Sequence, residues 1–252
     1  MPKDKDLKKM VRARMAKTGE SYSIAKLRLA GASKPRNSVV RPTGVPLEVS
    51  AAPALYQVKI TLSEIEPLIW RRLLVPADIS LARLHLIIQA AFGWLDYHLH
   101  QYIVDDHYFG DPNPEFADEL PPMTDERDAI LRDIVEAKAI VYEYDFGDSW
   151  RHVIELENVA VVPDPGVRYP VCTGGARSRP PEDCGGTSGY EELLEVLADP
   201  AHEEHDSMKT WVGKKFDPET FDLVAVNRAL LRIGSGSGRR SRGGGSRIAT
   251  LH

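Results

Sequence analysis

Imidazole, carboxylate and thiol groups concentrate in three stretches in the middle of the chain. The first holds His98 and His100, the second runs from Asp145 to His152, and the third runs from Cys172 to Cys184. Neutral imidazole, thiolate and carboxylate together form the ligand set of a zinc or other transition-metal site. The candidate pocket residues in or near these stretches are His98, His100, Asp145, Asp148, Trp150, His152, Glu182 and Asp183.

A metal site is one interpretation of these residues. Its candidate ligands are His98, His100, His152, Cys172 and Cys184. Because side chains alternate along a strand, His98 and His100 would project from the same side of one strand. The cysteine spacing argues against a zinc knuckle, since eleven residues separate the two cysteines where two to four are usual. The sequence leaves a divalent metal open without favouring it, and it assigns no catalytic residue.

The same side chains also have a purely structural interpretation. Asp148 would organise a turn, and His152 would bond to a backbone carbonyl. Glu182 and Asp183 would cap the helix that begins near Tyr190. A structural role, a ligand or substrate pocket and a bound metal therefore stay open as alternatives. They differ in whether the three stretches meet around one cavity.

Hydrophobic periodicity predicts the elements that position these residues. Period-2 alternation predicts strands over 55–62, 69–75, 98–104, 140–146 and 150–156, the last two joined by a Gly147–Asp148 hairpin turn. Helical spacing and cap signals predict helices over 81–91, 128–135, 190–198, 202–212 and 222–231. Residues 105–125 and 163–186 are predicted as loops. The fold class is α+β: a mainly antiparallel sheet of about five strands, one inserted helix and three C-terminal helices.

The formal net charge of −5 hides three differently charged parts. Residues 1–53 carry a net +8, residues 54–232 a net −17 and residues 233–252 a net +4. The first part is predicted to be a basic helical segment and linker, the second a folded body, and the third a disordered Gly/Ser/Arg tail. The basic ends allow weak contact with nucleic acid, while the acidic body repels phosphate.

The expected cellular compartment follows from three features that the sequence lacks: a membrane span, a secretory signal and a disulfide framework. No apolar run approaches the roughly 18 residues of a membrane span, and no apolar stretch follows the charged N-terminus as in a secretory signal. The two cysteines are too few for a disulfide framework. These observations predict a cytoplasmic protein without a membrane anchor.

Several segments of the body resemble a known family. The plasmid pRiA4b Orf-3-like family has, in this order and spacing, the segments YQVKITLSEIEPLIWRRLLVP, HLHQY, YEYDFGDSWRH, PPEDCGG with SGYEELL, and FDPETFDLVAVNRAL. The resemblance covers about residues 54–232. It implies an α+β domain of bacteria and archaea that often occurs on plasmids or beside mobile elements, and it implies no biochemical activity.

Three functional hypotheses follow. The leading one is a cytoplasmic binding or interaction module whose body engages a protein or small ligand, with no catalysis assigned. The alternative is a metal-dependent hydrolase or nuclease with His98, His100 and His152 as ligands and Asp145 or Asp148 as general base. The third is a structural partner in a plasmid or transposon complex.

Overall fold

The computed structural model describes residues 54–112 and 121–234. The segment predicted over 1–53 lies outside the described residues, as does the predicted tail apart from Ile233 and Gly234, which end the last helix. None of the described helices is long and apolar enough to cross a membrane.

The described residues form one mixed sheet of eight strands. In chain order the strands are β1 (Leu55–Leu62), β2 (Ile69–Pro76), β3 (His100–Val104), β4 (His107–Gly110), β5 (Thr124–Asp125), β6 (Ile140–Tyr144), β7 (Trp150–Val161) and β8 (Val171–Ala176). Across the sheet their order is β5-β4-β3-β6-β7-β1-β2-β8. β4 and β5 are parallel, and all other neighbouring pairs are antiparallel.

Four α-helices accompany this sheet in the described part of the chain. They are α1 (Leu81–Phe92), α2 (Gly186–Ala198), α3 (His205–Val212) and α4 (Leu223–Gly234), and a short 3₁₀ helix spans Leu131–Asp133. α1 begins where the Ser80 side chain accepts a hydrogen bond from the Arg83 amide. It ends at Gly93, whose φ of 85° is in the left-handed region that glycine adopts without steric cost.

The core lies between α1 and one face of the sheet. The alternate β1 residues Val58, Ile60 and Leu62 are buried, as the sequence pattern predicts. α1 supplies the opposite wall with Leu81, Leu84, Ile87, Ile88 and Ala91, all fully buried. Each fully buried Leu or Ile contributes roughly 1.5–3 kcal/mol through the transfer of its side chain out of water. This wall fixes the end of α1, where the chain turns toward the site described below.

The sequence prediction of about five strands is corrected to eight. β4 and β5 fall in the stretch predicted as a loop over 105–125, and β8 falls in the loop predicted over 163–186. These strands are short or glycine-rich, so their pairing with neighbours stabilises them more than their own hydrophobic pattern does. The predicted helix over 128–135 is the 3₁₀ turn, and α2 and α3 begin at Gly186 and His205 instead of 190 and 202. The α+β class and the β6–β7 hairpin are confirmed.

Candidate metal centre

Four side chains from three separate segments converge on one point. His98 lies between α1 and β3, Asp145 directly follows β6, and Glu182 and Asp183 lie between β8 and α2. His98 Nε2 is 3.7 Å from Asp145 Oδ2, 3.8 Å from Glu182 Oε2 and 3.7 Å from Asp183 Oδ1. Donor atoms of His98, Asp145 and Asp183 all lie within 4.8 Å of one another.

These distances fit a shared cation better than hydrogen bonds. An N–H donor and its oxygen acceptor lie about 2.7–3.2 Å apart, which is shorter than all three separations. Four donors arranged tetrahedrally at about 2.1–2.3 Å from a metal ion lie roughly 3.4–3.8 Å from each other. The three distances from His98 Nε2 therefore match the donor separations of a coordination sphere. Mutual proximity extends to the donor atoms of His98, Asp145 and Asp183, and Glu182 joins them through its distance to His98 Nε2.

The burial of the cluster makes this spacing informative. The His98 side chain is 4% exposed and that of Asp145 is fully buried. Within the described residues, neither ring nitrogen of His98 makes a hydrogen bond, and neither does Glu182 Oε2. A buried polar atom without a partner costs about 1–3 kcal/mol. A cation would remove this cost at Nε2 and Oε2 and would offset the repulsion among three carboxylates.

The turn after β6 holds Asp145 in place. Its amide donates to the Leu99 carbonyl at 3.0 Å, which ties it to the residue next to His98. Its Oδ1 accepts the Gly147 amide at 2.9 Å, so that Oδ2 is the atom nearest to His98 Nε2. Asp145 has a φ of 57° and Asp183 a φ of 55°, both left-handed. Such strained backbone concentrates at functional sites, where the surrounding structure maintains it.

Glu182 is held by its other oxygen. Glu182 Oε1 accepts the Leu95 amide at 2.8 Å and a weaker bond from the Tyr144 hydroxyl at 3.4 Å. The Tyr144 ring also packs edge-on against the His98 ring at 5.7 Å. The ligand side chains thus have a supporting shell that orients them, as metal ligands usually do.

Asp148 connects the carboxylate loop to the β6–β7 turn. Its Oδ2 accepts the Gly185 amide at 3.0 Å. A Cβ at Gly186, whose φ is 72°, would lie 2.8 Å from the Asp148 carbonyl oxygen. Only glycine permits this close approach, and it is the approach that brings Glu182 and Asp183 to His98. Asp148 therefore positions the loop and does not itself point into the cluster.

The structure does not bring the other predicted ligands to this point. His100 Nε2 bonds to Glu126 at 2.8 Å, and the Cys172 thiol donates to the Gly174 carbonyl at 3.2 Å. His152 accepts from Trp94 Nε1 at 3.1 Å, and its Nδ1 faces the Trp150 carbonyl at 3.0 Å. Burial lowers the pKa of His152 to about 4 and raises the pKa of the Cys172 thiol.

The predicted ligand set is therefore corrected. Among the described residues, the group that could hold a metal is His98, Asp145 and Asp183, to which Glu182 is added by its distance to His98. The group does not include His100, His152, Cys172 or Cys184. The physical reason is that β3 begins at His100, so His98 precedes the strand and escapes its alternation.

The structural interpretation is right for His152, whose Nδ1 faces a backbone carbonyl, and Trp150 is a core residue. Asp148 also has a structural role, but it bonds to the Gly185 amide, and Asp145 Oδ1 accepts the turn amide of Gly147 instead. The structural interpretation fails for Glu182 and Asp183, because α2 has no side-chain cap and Glu182 turns toward His98.

The cluster lies next to the surface at Asp183 and adjoins a cavity. The Asp183 side chain is 45% exposed, although its Oδ1, which faces His98, is buried. On the side of Leu95 and Glu182 lies a cavity of about 520 Å³. Its wall also includes Arg179, Trp211, Phe216 and Phe221. Sequence reasoning missed this cavity, because its lining comes from segments that are contiguous only in the fold.

The fold and the cluster define an α+β protein with a candidate metal centre of one histidine and three carboxylates. The chain belongs to the plasmid pRiA4b ORF-3-like family, whose family model matches residues 54–225. It is 36% identical over 192 residues to the uncharacterized protein y4hQ of Sinorhizobium fredii, covering 75% of this chain and 97% of the relative. It is also similar to the crystal structure of MM3350, a protein of unknown function from Methanosarcina mazei Go1. That match has a TM-score of 0.62 and 39% identity, and it covers 68% of this chain and 96% of the other.

Proposed function

We propose that the protein binds one divalent metal ion among His98, Asp145, Glu182 and Asp183 and uses it for hydrolysis. The observation that carries the proposal is the buried imidazole of His98, whose ring nitrogens lack hydrogen bonds among the described residues while Nε2 faces three carboxylate oxygens at 3.7–3.8 Å. The metal-dependent hydrolase is thereby preferred over the interaction module, with a different ligand set from the one that the sequence suggests.

The donor set limits which ions are expected. One nitrogen and three carboxylate oxygens suit Mn²⁺, Fe²⁺ and Zn²⁺, and the oxygen majority also admits Mg²⁺. A thiolate-rich site would instead favour softer metals such as Zn²⁺ or Cu⁺. The 45% exposure of the Asp183 side chain places the centre next to solvent, which supports a catalytic over a structural metal. With four protein donors, water or substrate would bind as a fifth ligand.

A bound ion would polarise the substrate and lower the pKa of a coordinated water. The chain's own residues would orient these reactants. Asp145 is fully buried and Asp148 is bonded to the Gly185 amide, so neither is well placed as the general base. Asp183 is the carboxylate of the cluster with the most exposure, and we assign to it the acceptance of a proton from an attacking water.

The binding-module hypothesis shares this centre, because a metal can hold a small ligand without cleaving it. Turnover distinguishes the two. A cytoplasmic location, an association with plasmids or mobile elements, and weak nucleic-acid contact through residues 1–53 and 233–252 are carried forward as proposals from the sequence.

Calorimetric titration of chelator-treated full-length protein with Zn²⁺ and Mn²⁺ tests metal binding. We expect one ion per chain and at least a hundredfold weaker binding by the His98→Ala variant. His107→Ala is the matched control, since His107 is exposed on β4 and lies outside the cluster. Equal affinity in the wild type and the His98→Ala variant, or no saturable binding by the wild type, would refute the site.

Hydrolysis is tested with the metal-loaded protein on chromogenic phosphomonoesters, phosphodiesters and carboxylic esters. Turnover that disappears both with chelator and in the His98→Ala variant supports the hydrolase. Stoichiometric metal binding without turnover of any of these esters would favour the binding module.

A further inference from the structure

We infer that the cavity beside the centre binds a small organic anion with an aromatic or apolar body, and that Arg179 binds its carboxylate or phosphate group. This inference names a ligand class for the proposed function and rests on that function only for the ligand's subsequent reaction. The cavity, the rings and the arginine carry the binding step.

The size and lining of the cavity suit a small molecule. A volume of about 520 Å³ lies within the roughly 300–1,000 Å³ of ligand pockets. Much of the wall is apolar, with rings and aliphatic groups from three helices and their connecting segments. The apolar lining residues are Phe92, Leu95, Trp211, Val212, Phe216, Phe221, Ala225 and Val226. Half of the Trp211 surface is exposed, so one large ring is available to a ligand.

The cavity adjoins the cluster through two residues. Leu95 and Glu182 line the cavity, and the Leu95 amide is the donor that holds Glu182 Oε1 at 2.8 Å. The other Glu182 oxygen faces His98. A ligand lying along Leu95 would therefore contact Glu182, which separates the cavity from the proposed metal position.

The charge of the cavity selects an anion. Two arginines line it, Arg71 and Arg179, against the two carboxylates of Glu182 and Asp222. Asp222 is engaged in capping α4, where its Oδ1 accepts the Ala225 amide at 2.9 Å. Glu182 is engaged by the Leu95 amide and faces His98. Neither carboxylate lies within ion-pair distance of a guanidinium of these two arginines in the described residues.

Arg71 and Arg179 differ in how many of their guanidinium donors are already hydrogen-bonded. The guanidinium of Arg71 donates to four backbone carbonyls, those of Trp70, Ala91, Ala176 and Arg177. Arg179 donates to only two, Gly93 from Nε at 2.8 Å and Pro180 from Nη1 at 2.5 Å. Its Nη2 makes no hydrogen bond to a described residue, and its guanidinium lies over the Trp94 ring at 4.8 Å. A guanidinium that lies over a ring and keeps the Nη2 donors for a ligand is preorganised to pair with a carboxylate or phosphate.

Other occupants of the cavity fit less well. Residues 233–252 carry four arginines and no acidic residue, so their charge opposes insertion next to Arg179. A neutral apolar ligand would leave the Nη2 donors of Arg179 unused, and Glu182 acts on this arginine only from beyond ion-pair distance. Burial lowers the pKa of Arg179, which is the direction expected of a cation that lacks a full partner.

Fluorescence titration of the full chain with 1-naphthyl phosphate, 1-naphthol and inorganic phosphate tests this inference. We expect 1-naphthyl phosphate to bind at least tenfold more tightly than either other probe, because it combines the apolar body with the anion. The Arg179→Met variant should lose this preference and keep its affinity for 1-naphthol, which also shows that it is folded. The Arg179→Lys variant should keep part of the preference, and Trp211→Ala should weaken the binding of both naphthyl probes.

Arg132→Met is the matched control, since the Arg132 side chain is half exposed and lies outside the cavity. The inference is overturned if 1-naphthol and 1-naphthyl phosphate bind equally to the wild type, or if Arg179→Met keeps the full preference. The titrations are run without metal. If the protein binds no metal but prefers 1-naphthyl phosphate through Arg179, only the proposed function is contradicted. If it binds metal but shows no such preference, only the inference is contradicted.

Discussion

His98 and His100 lie two residues apart, and both have largely buried side chains close to carboxylates. His100 Nε2 meets Glu126 at 2.8 Å, and its ring stacks on His85 at 3.6 Å between centroids. His98 Nε2 meets three carboxylates, none closer than 3.7 Å. The His100 distance of 2.8 Å is that of a hydrogen bond, whereas the shortest His98 distance of 3.7 Å is that of two donors that could share a metal ion. The comparison shows that residue type and burial alone do not identify a metal centre.

The network around His100 is internally satisfied. Gln89 Nε2 donates to the Tyr142 hydroxyl at 2.9 Å, so the hydroxyl is free to donate to His85 Nδ1 at 2.8 Å. His85 Nε2–H then donates to Asp96 at 3.0 Å. Burial raises the pKa of Tyr142 well above its usual value, which keeps the phenol protonated as a donor. The imidazoles of His85 and His100 and the Tyr142 hydroxyl therefore all have hydrogen-bond partners, so this network needs no cation.

The largest expected effect is the pH dependence of the free energy of unfolding that His85 causes in the hydrogen-bonded network around His100. Burial and the neighbouring His100 lower the pKa of His85 to about 4, although Asp96 and Glu126 act in the opposite direction. His85 is therefore neutral at pH 7, and its Nε2–H donates a hydrogen bond to the Asp96 side chain instead of forming an ion pair. Since the unfolded chain takes up this proton first, near pH 6.5, the stability contributed by His85 is complete above that pH. It is lost as the pH falls toward 4, by about 3 kcal/mol in total.

Urea unfolding at pH 7.5, 5.5 and 4.5 in the presence of chelator measures this loss. The His85→Gln variant should show a smaller fall of the free energy of unfolding over the same range. His202→Gln is the control, since His202 is exposed and should leave the pH dependence unchanged. An identical pH dependence in His85→Gln and the wild type would show that the histidine is not buried in its neutral form.

The next effect sharpens the contrast between the two sites. A metal ion at a hundredfold excess over its Kd stabilises a protein that binds it only when folded by about 2.7 kcal/mol. We expect a Zn²⁺- or Mn²⁺-dependent rise of roughly 5–10 °C in the Tm of the wild type. Asp145→Asn should abolish this rise. Glu126→Gln, the matching change in the satisfied network, should lower the Tm without metal and keep the metal-dependent rise. If the metal-dependent rise in Tm survives Asp145→Asn and disappears in Glu126→Gln, the metal binds at the His100 network and not at the His98 cluster.

The smallest effect separates Asp183, the partly exposed candidate ligand, from the buried candidate ligands. Asp183→Asn replaces a carboxylate that is partly exposed, where water can take the vacated position. We expect the affinity for Mn²⁺ to fall by about tenfold, or about 1.4 kcal/mol, against at least a hundredfold for His98→Ala. Calorimetry measures both values under the same conditions. A loss in Asp183→Asn as large as that in His98→Ala would mean that Asp183 is an essential ligand and not the replaceable one.

The parts of the fold that the sequence predicts are those with their own periodicity. The alternation of 55–62 predicts β1, and the Gly147–Asp148 signal predicts the β6–β7 hairpin. β8 contains Thr173, Gly174 and Gly175, which give no strand pattern. β8 exists because it pairs with β2, and Phe221 packs where a Cβ at Gly175 would lie. A strand stabilised by such distant partners leaves little trace in its own residues.

The candidate site shows the same division. His98, Asp145, Glu182 and Asp183 all belong to the pocket set that the sequence suggests, because their side-chain chemistry is visible in it. Their selection as ligands is not visible, since β-strand alternation favours His100 as the companion of His98. That alternation does not apply, because residue 98 lies before the first residue of β3. The close contact of the Gly185 and Gly186 backbone with Asp148 determines the candidate ligand set, because it brings Glu182 and Asp183 to His98.

The sequence by itself determined the chemical inventory, the family, the acidic charge of the body and the strands and helices with a regular hydrophobic period. These properties reside in residue types and short-range spacing. Tertiary structure alone decided which imidazole lies 3.7–3.8 Å from three carboxylates and which is hydrogen-bonded to a glutamate. A difference of 2.8 Å against 3.7 Å depends on how three distant segments pack together. Packing at that precision is set by the whole core and not by the spacing of any one segment.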